Sequence, residues 1–184
     1  PVPAVMYLQD LAVGSFALFS IEFREAYVDM PTWIDLHVRA SMPILPGETL
    51  VLRLPGFGGQ DVSDGTVMTY PNMSIASVSW HASTSILTLT VGNEIPANTT
   101  ANASIPMASG IVMTPQGIRE QHFPLFQAST SARNGPVVSS QLTSIQVIGS
   151  FMDSTSLTFS PKIARQPVNV TIDFMSQSDI MVGE

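Results

Sequence analysis

The segment Ile34-Asp35-Leu36-His37-Val38-Arg39 alternates apolar and polar side chains at every step. A period of two places Ile34, Leu36 and Val38 on one face of a β-strand and their neighbours on the other. The same alternation predicts strands around Phe19–Arg24, Leu50–Leu54, Ala76–Trp80, Leu87–Val91 and residues 100–105, and shorter strands at 110–114, 123–128 and 142–148. In the Ala76–Trp80 strand, Ala76, Val78 and Trp80 are expected to share the buried face.

Turn signals separate these strands, among them Pro46-Gly47, Asp64-Gly65, Gly92-Asn93 and Asn134-Gly135. No stretch has convincing helical periodicity. Many short strands with regular turns predict an all-β fold, an immunoglobulin-like β-sandwich with Greek-key connections. Trp80 is a candidate for the core tryptophan of that sandwich.

The alternating segment recurs as Val170-Thr171-Ile172-Asp173-Phe174, 136 residues further along the chain. Other matches are Pro1-Val2 with Pro136-Val137, Val13-Gly14-Ser15-Phe16 with Ile148-Gly149-Ser150-Phe151, Ile21 and Phe23 with Leu157 and Phe159, Pro31 with Pro167, and Gly47-Glu48 with Gly183-Glu184. Matching positions in register favour a tandem repeat of about 135 residues over chance similarity of two β-rich stretches.

The repeat predicts two units. Residues 1–135 form one complete β-sandwich repeat, and residues 136–184 form the opening strands of the next. An unfinished sandwich exposes apolar faces and unpaired strand edges. The second unit is therefore expected to be completed either by continuation of the chain or by strands from a neighbouring subunit.

Composition excludes several classes of partner. Hydrophobic residues make up 45% of the 184-residue chain, charged residues only 11%, and the formal net charge is −7. Lys162 is the only lysine, so no basic patch exists to bind nucleic acid or an anionic membrane. No apolar run approaches the roughly 20 residues of a membrane-spanning helix. Cysteine is absent, so disulfides do not hold the fold.

Asparagine sequons offer an explanation for how so weakly charged a surface stays soluble. The four N-x-Ser/Thr sequons are Asn72-Met73-Ser74, Asn98-Thr99-Thr100, Asn102-Ala103-Ser104 and Asn169-Val170-Thr171. Asn98 and Asn102 are predicted to lie on one strand face, Asn169 to point outward between two valines, and Asn72 to lie in a loop. All four are therefore expected to reach solvent and to carry N-glycans, which implies an extracellular or cell-surface location. The alternative is a polar strand face without sugar.

No catalytic constellation is present, so an enzyme is not predicted, and no cofactor other than covalent glycan is expected. The histidines His37, His81 and His122 are isolated in sequence, and no phosphate-binding or hydrolase motif occurs. Asp61 and Asp64 have a spacing compatible with a calcium-binding loop, but the ligand count is too low, and turn-capping aspartates are the default interpretation. No metal site is predicted.

The chain resembles a tandem immunoglobulin-like repeat of large secreted or cell-surface proteins of algae and other protists, of the type found in mastigonemes and extracellular fibrils. The motifs that carry the resemblance are Leu54-Pro55-Gly56-Phe57, Ser79-Trp80, Leu87-Thr88-Leu89-Thr90-Val91-Gly92, Ile95-Pro96-Ala97-Asn98-Thr99, Ser109-Gly110-Ile111 and Gly135-Pro136-Val137. They run through the full unit and restart at Gly149-Ser150-Phe151. The resemblance implies an extracellular structural role and brings no catalytic residues.

The leading hypothesis is a structural repeat of an extracellular glycosylated filament whose partners are neighbouring copies of the repeat. The alternative is an adhesive or carbohydrate-binding module of a surface protein, for which Trp33 and Tyr70 are the candidate contact residues. Trp33 occupies the repeat position of Asn169 and is expected to point outward, although partial cover by an adjacent loop is an equally good interpretation. A third hypothesis is an accessory domain of a secreted enzyme.

Overall fold

The computed structural model describes residues 14–149, 156–161 and 166–174. The chain is all-β there, as predicted, with two short 3-10 helices at Met107–Ser109 and Glu120–Leu125. The strands are β1 (Phe16–Arg24), β2 (Trp33–Ala40), β3 (Thr49–Arg53), β4 (Gly58–Gly59), β5 (Val62–Gly65), β6 (Met68–Tyr70), β7 (Ile75–His81), β8 (Ile86–Val91), β9 (Thr100–Ile105), β10 (Ile111–Val112), β11 (Gln127–Thr130), β12 (Val137–Gln141), β13 (Ser144–Ile145), β14 (Ser156–Ser160) and β15 (Asn169–Asp173).

Two large sheets share one hydrophobic core. The first sheet has the strand order β13-β1-β2-β9-β6, and the second has the order β12-β11-β3-β8-β7-β5. Neighbouring strands within both sheets are antiparallel except for β13, which runs parallel to β1. Strands β4 and β10 form a separate two-stranded pair.

The period-two alternation explains which side chains enter the core. The predicted inward residues of β1, β2, β3 and β8 are all buried, and Trp80 on β7 is fully buried. One inward position is wrong: Ala76 is exposed, whereas Ile75 and Val78 are buried. The cause is a register irregularity between Ile75 and Ser77 in the pairing of β7 with β8, which shifts the start of the strand to the other face.

Three of the shorter predicted strands differ in extent. The strand predicted at 123–128 is wrong over its first half, because a 3-10 helix runs to Leu125 and β11 begins only at Gln127. Pro124 lies inside that helix and has no N–H to donate to a strand neighbour. The strands at 110–114 and 142–148 shorten to two residues each, Ile111–Val112 and Ser144–Ile145.

The segment 137–148 closes the first unit. Strand β12 pairs with β11, and β13 pairs with β1. The Thr143 hydroxyl accepts a hydrogen bond from the Phe19 N–H at 3.1 Å, and Gln146 Oε1 accepts one from the Phe23 N–H at 2.7 Å. These bonds cover the outer edge of β1. The boundary predicted after residue 135 placed this segment in the next repeat, whereas its pairing places it in the sheets of the first unit.

Gly14 shows why the repeated glycine stands where it does. A Cβ atom on Gly14 would collide with the carbonyl oxygen of Gly135 and with the Met42 side chain. The chain entering β1 and the chain entering β12 therefore pass each other at backbone contact, which only glycine permits.

Strands β14 and β15 form a hairpin-type antiparallel pair apart from the two large sheets. The described side chains of both strands are exposed. Leu157, Phe159, Val170 and Ile172 remain 44–61% exposed, although all four are large and apolar. The described residues therefore leave the apolar face of this pair largely exposed, whereas the apolar face of β1 and β2 is buried.

Candidate functional site

The outward face of the first sheet carries the polar and aromatic side chains that the sequence singled out. Strand register places these side chains in transverse rows. One row contains Ser20, His37, Asn102 and Tyr70; the next contains Glu22, Asp35, Ser104 and Met68; the third pairs Arg24 with Trp33. Because directly paired residues of antiparallel strands point to the same side, each row projects from one face of the sheet.

An ion pair occupies the centre of this face. Arg24 Nε lies 2.6 Å from Asp35 Oδ2, and Arg24 Nη2 donates to Asp35 Oδ1 at 2.9 Å, so the contact is bidentate. The Ser104 hydroxyl also donates to Asp35 Oδ1. Burial raises the pKa of the Asp35 carboxyl, but the hydrogen bonds from Arg24 and Ser104 and the Arg24 charge outweigh it, so the pKa lies below its ordinary value.

Trp33 points outward, as predicted, but it is not a free platform. The Arg24 guanidinium lies over its ring, 4.3 Å from the ring centroid, in a cation–π contact. The side chain is half-buried. One face of the indole is therefore already occupied, which limits Trp33 as a stacking surface for a sugar. The sequence alternation located Trp33 and Asp35 on this face, but it did not reveal Arg24 as their common partner, because that contact depends on the register between β1 and β2.

Tyr70 is the more accessible of the two predicted contact residues. It is 73% exposed and lies at the end of β6, the strand at one edge of the first sheet. Trp33 and Tyr70 stand two rows and two strands apart, so their Cα atoms are roughly 16 Å from each other by standard strand spacings. The two aromatic residues therefore do not form one contiguous platform.

Asn102 is the predicted glycosylation residue that lies inside the sheet. It is half-buried between His37 on β2 and Tyr70 on β6. His37 Nδ1 lies 2.8 Å from Asn102 Oδ1, a hydrogen bond that requires the proton on Nδ1. N-glycans are attached through Nδ2, the side-chain atom that this hydrogen bond does not use.

The other two sequon asparagines of the first unit lie in turns. Asn72 is exposed in the turn that follows β6, and its carbonyl oxygen accepts a hydrogen bond from Asn93 Nδ2 at 3.3 Å. Asn98 does not lie on β9 as predicted: it is exposed in the preceding turn, in a left-handed conformation with φ of 60°. Its N–H donates to the Ala40 carbonyl at 2.7 Å.

Two of the three asparagines of the first unit lie beside β6, an edge strand of the first sheet. Asn72 follows the edge strand β6 directly, and Asn102 lies on β9, the strand that pairs with it. Asn98 precedes β9 by two residues. Sugars at Asn72 and Asn102 would shield the edge of β6 that no other described strand pairs with. The fourth, Asn169, is exposed at the start of β15.

The aspartates considered for calcium hold a turn. Asp61 Oδ1 accepts a hydrogen bond from the Ala82 N–H at 2.8 Å, and Asp61 Oδ2 lies 3.4 Å from His81 Nδ1. The hydrogen bond from the Ala82 N–H, more than the His81 contact, lowers the pKa of Asp61. Asp64 is exposed on β5. Among the described residues, no group of three or more His, Cys, Asp or Glu side chains is placed to hold a metal ion.

The three histidines stand on separate elements: His37 on β2, His81 on β7 and His122 in the second 3-10 helix. No helix in the described part of the chain is long and apolar enough to cross a membrane. No protein-family model matches the chain, and no curated protein matches its sequence.

Proposed function

We propose that this chain is a structural repeat segment of an extracellular, glycosylated filament or cell-surface appendage, built from immunoglobulin-like sandwich units. Neighbouring copies of the repeat are its partners, and its only attached groups are N-glycans. It has no catalytic role.

The observation that carries the proposal is the register of the second strand pair. Every residue pair of β14 with β15 is a pair of β1 with β2 moved by 136 residues. Ile21 pairs with Leu36, and Leu157 pairs with Ile172; the corresponding pairs are Ser20–His37 and Ser156–Asp173, Glu22–Asp35 and Thr158–Thr171, Phe23–Ile34 and Phe159–Val170, and Arg24–Trp33 and Ser160–Asn169. A slip of one residue in either strand would break all five matches, so this agreement supports a tandem repeat.

Strand order supports the immunoglobulin-like assignment. The order β1-β2-β9-β6 of the first sheet corresponds to A-B-E-D, and the order β12-β11-β3 of the second corresponds to G-F-C. The chain passes between the sheets from β2 to β3 and from β9 to β11, as a Greek-key sandwich requires. It also crosses from β5 to β6, from β6 to β7 and from β8 to β9. Strands β8, β7 and β5 extend the second sheet beyond β3.

The distribution of sequons supports an extracellular assembly. Two of them, Asn72 and Asn102, lie beside the edge strand β6, where sugars block uncontrolled strand pairing while leaving other surfaces available for specific contacts. Low charge combined with a glycan coat also keeps such a surface in solution.

Electron microscopy and glycopeptide mass spectrometry of the native material test the proposal together. Filaments with an axial period of one or two sandwich lengths, and hexose-bearing peptides at Asn72, Asn98, Asn102 or Asn169, are expected. Dispersed particles without sugar at any of the four asparagines would contradict it. Individual Asn→Gln variants, expressed in a glycosylating host, assign each sugar by the mass lost.

The exposure of Tyr70 favours a second candidate, an adhesive or carbohydrate-binding module of a large surface protein. Its ring projects from the sheet beside Asn102 and His37, which supply polar groups for a sugar. Binding to a glycan array that is lost in Tyr70→Ala, with Trp33→Ala as the comparison variant, would select this function over the structural one.

A further inference from the structure

The apolar face of the β14–β15 pair is defined by Leu157, Phe159, Val170 and Ile172. These four side chains alternate with polar ones along both strands, so one face of the pair is apolar and the other polar. On the polar face, the Ser156 hydroxyl donates to Asp173 Oδ2 at 3.1 Å. The pair thus has the pattern of a sheet surface built to be covered on one side only.

The equivalent face of the first unit is covered. Ile21, Phe23, Ile34 and Leu36 hold the same positions in the β1–β2 register and are each at most 4% exposed. They belong to a core whose opposite side is formed by buried residues of β3, β8 and β11. Those residues include Leu50, Leu52, Leu87, Leu89 and Ala128.

The contact of Phe23 illustrates the fit. Its ring stacks on Phe57 with ring centroids 5.6 Å apart, and Phe57 in turn meets Phe126 edge-on at 6.3 Å. Phe159 is the same residue at the repeat position of Phe23, and it is 44% exposed. Because Phe23 packs in an aromatic cluster of the facing sheet, Phe159 at the matching position indicates that its own face packs against a similar sheet.

We propose that the apolar face of the β14–β15 pair is a docking surface for a second β-sheet with the chemistry of the β3–β8–β11 sheet, presenting leucine-type side chains at alternate positions. The occupant is the facing sheet of a further repeat of this kind. The proposal rests on the tandem-repeat function proposed above and identifies the partner of that repeat. We expect the partner sheet to pack on this face in the way that the β3–β8–β11 sheet packs on β1 and β2.

The first unit offers a representative of that partner, so an exchange within the full chain tests the fit. Residues 20–24 and 33–38 are replaced by the sequences of residues 156–160 and 169–174. Inward positions then change only among apolar residues, with phenylalanine retained at position 23. A cooperative transition, reported by Trp80 fluorescence, is expected within about 15 °C of the parent melting temperature.

A matched control shifts the inserted sequences by one residue. Residues 20–24 then take the sequence of 155–159 and residues 33–38 the sequence of 170–175. All cross-strand pairs are kept, but the apolar side chains turn to the solvent face, except for Met175, which takes the inward position 38. The shifted chain is expected to lose the cooperative transition.

Loss of the transition in both chains, or its survival in both, would overturn the proposal, because the facing sheet would not then select this face.

Sedimentation of the parent chain tests a different occupant of the face. A discrete dimer that Ile172→Asp converts to monomer would assign the face to a second copy of the same hairpin and would also overturn it. Since neither readout involves sugars or filaments, failure here is distinguishable from failure of the filament proposal.

Discussion

Phe23 and Phe159 form a matched pair, the same residue at two positions 136 residues apart, and their exposed fractions differ about tenfold, 4% against 44%. Phe23→Ala removes a ring that stacks on Phe57 and leaves a cavity in the core. Truncation of a buried phenylalanine costs about 3–5 kcal/mol, which lowers the melting temperature of a unit of this size by roughly 10 °C or more. Phe159→Ala is expected to change the free energy of unfolding of the first unit by less than about 0.5 kcal/mol.

Urea unfolding of the full chain measures both variants. Trp80 is fully buried in the first unit and reports its unfolding through fluorescence. A loss at Phe159→Ala equal to that at Phe23→Ala would show that the β14–β15 face is part of the same cooperative core. Such a result would refute the assignment of that face as uncovered in this chain.

Three further predictions concern contacts of the first unit. Asp35→Asn is expected to lower the free energy of unfolding by about 1 kcal/mol at pH 7. Because the folded pKa of Asp35 is depressed, this difference from the parent is full above about pH 4 and shrinks as the pH falls through the folded pKa. Urea titrations at pH 7 and pH 3 measure it. Position 98 has a left-handed backbone, so Asn98→Ala is expected to lower the free energy of unfolding by about 1 kcal/mol, and Asn98→Gly to leave it unchanged or raise it. Thermal melts of the unglycosylated protein measure both variants, and equal effects would contradict the backbone argument. Gln146→Ala leaves the Phe23 N–H without its acceptor and is expected to cost about 1–2 kcal/mol in urea unfolding, whereas Gln146→Glu, which retains an acceptor, is the control.

Alternation was sufficient to predict the fold class and most of the core. The inward residues of β1, β2, β3 and β8 follow from period two alone, because each of these strands has one face on the core and one outside it. Ala76 shows where this reasoning fails: an irregular register changes the face without leaving a signal in the hydrophobic pattern.

The extent of the first unit was less accessible to sequence reasoning. Residues 137–148 belong to it because β12 and β13 pair with strands that lie far back in the chain. Repetition fixes the spacing between equivalent residues, but it does not fix where one unit ends, since any starting point gives the same spacing. The hydrogen bonds that the β1 backbone N–H groups donate to Thr143 and Gln146 are long-range contacts that alternation does not encode.

For the predicted site residues, the sequence likewise indicated local placement but not long-range contacts. Outward placement of Trp33 and Asn102 followed from strand alternation, whereas Tyr70 was a candidate contact residue without a predicted strand face. The identity of their neighbours did not, because it depends on register across three strands. The sequence therefore did not identify Arg24 as the residue that contacts both Trp33 and Asp35. Glycosylation at the four asparagines stays a prediction.

The two strand pairs agree on one face and differ on the other. Inward positions keep large apolar side chains in both, whereas the outward Arg24–Trp33 pair becomes Ser160–Asn169 in the second. The ion pair and the stacked indole are thus not common to the two strand pairs, whereas the large apolar side chains on the other face are. If the outward face served adhesion by a fixed aromatic contact, the residue that matches Trp33 in the second strand pair would be aromatic, whereas it is the sequon asparagine Asn169. A sugar at the same position instead suits a surface whose role is to stay soluble between structural contacts, which favours the filament over the adhesin.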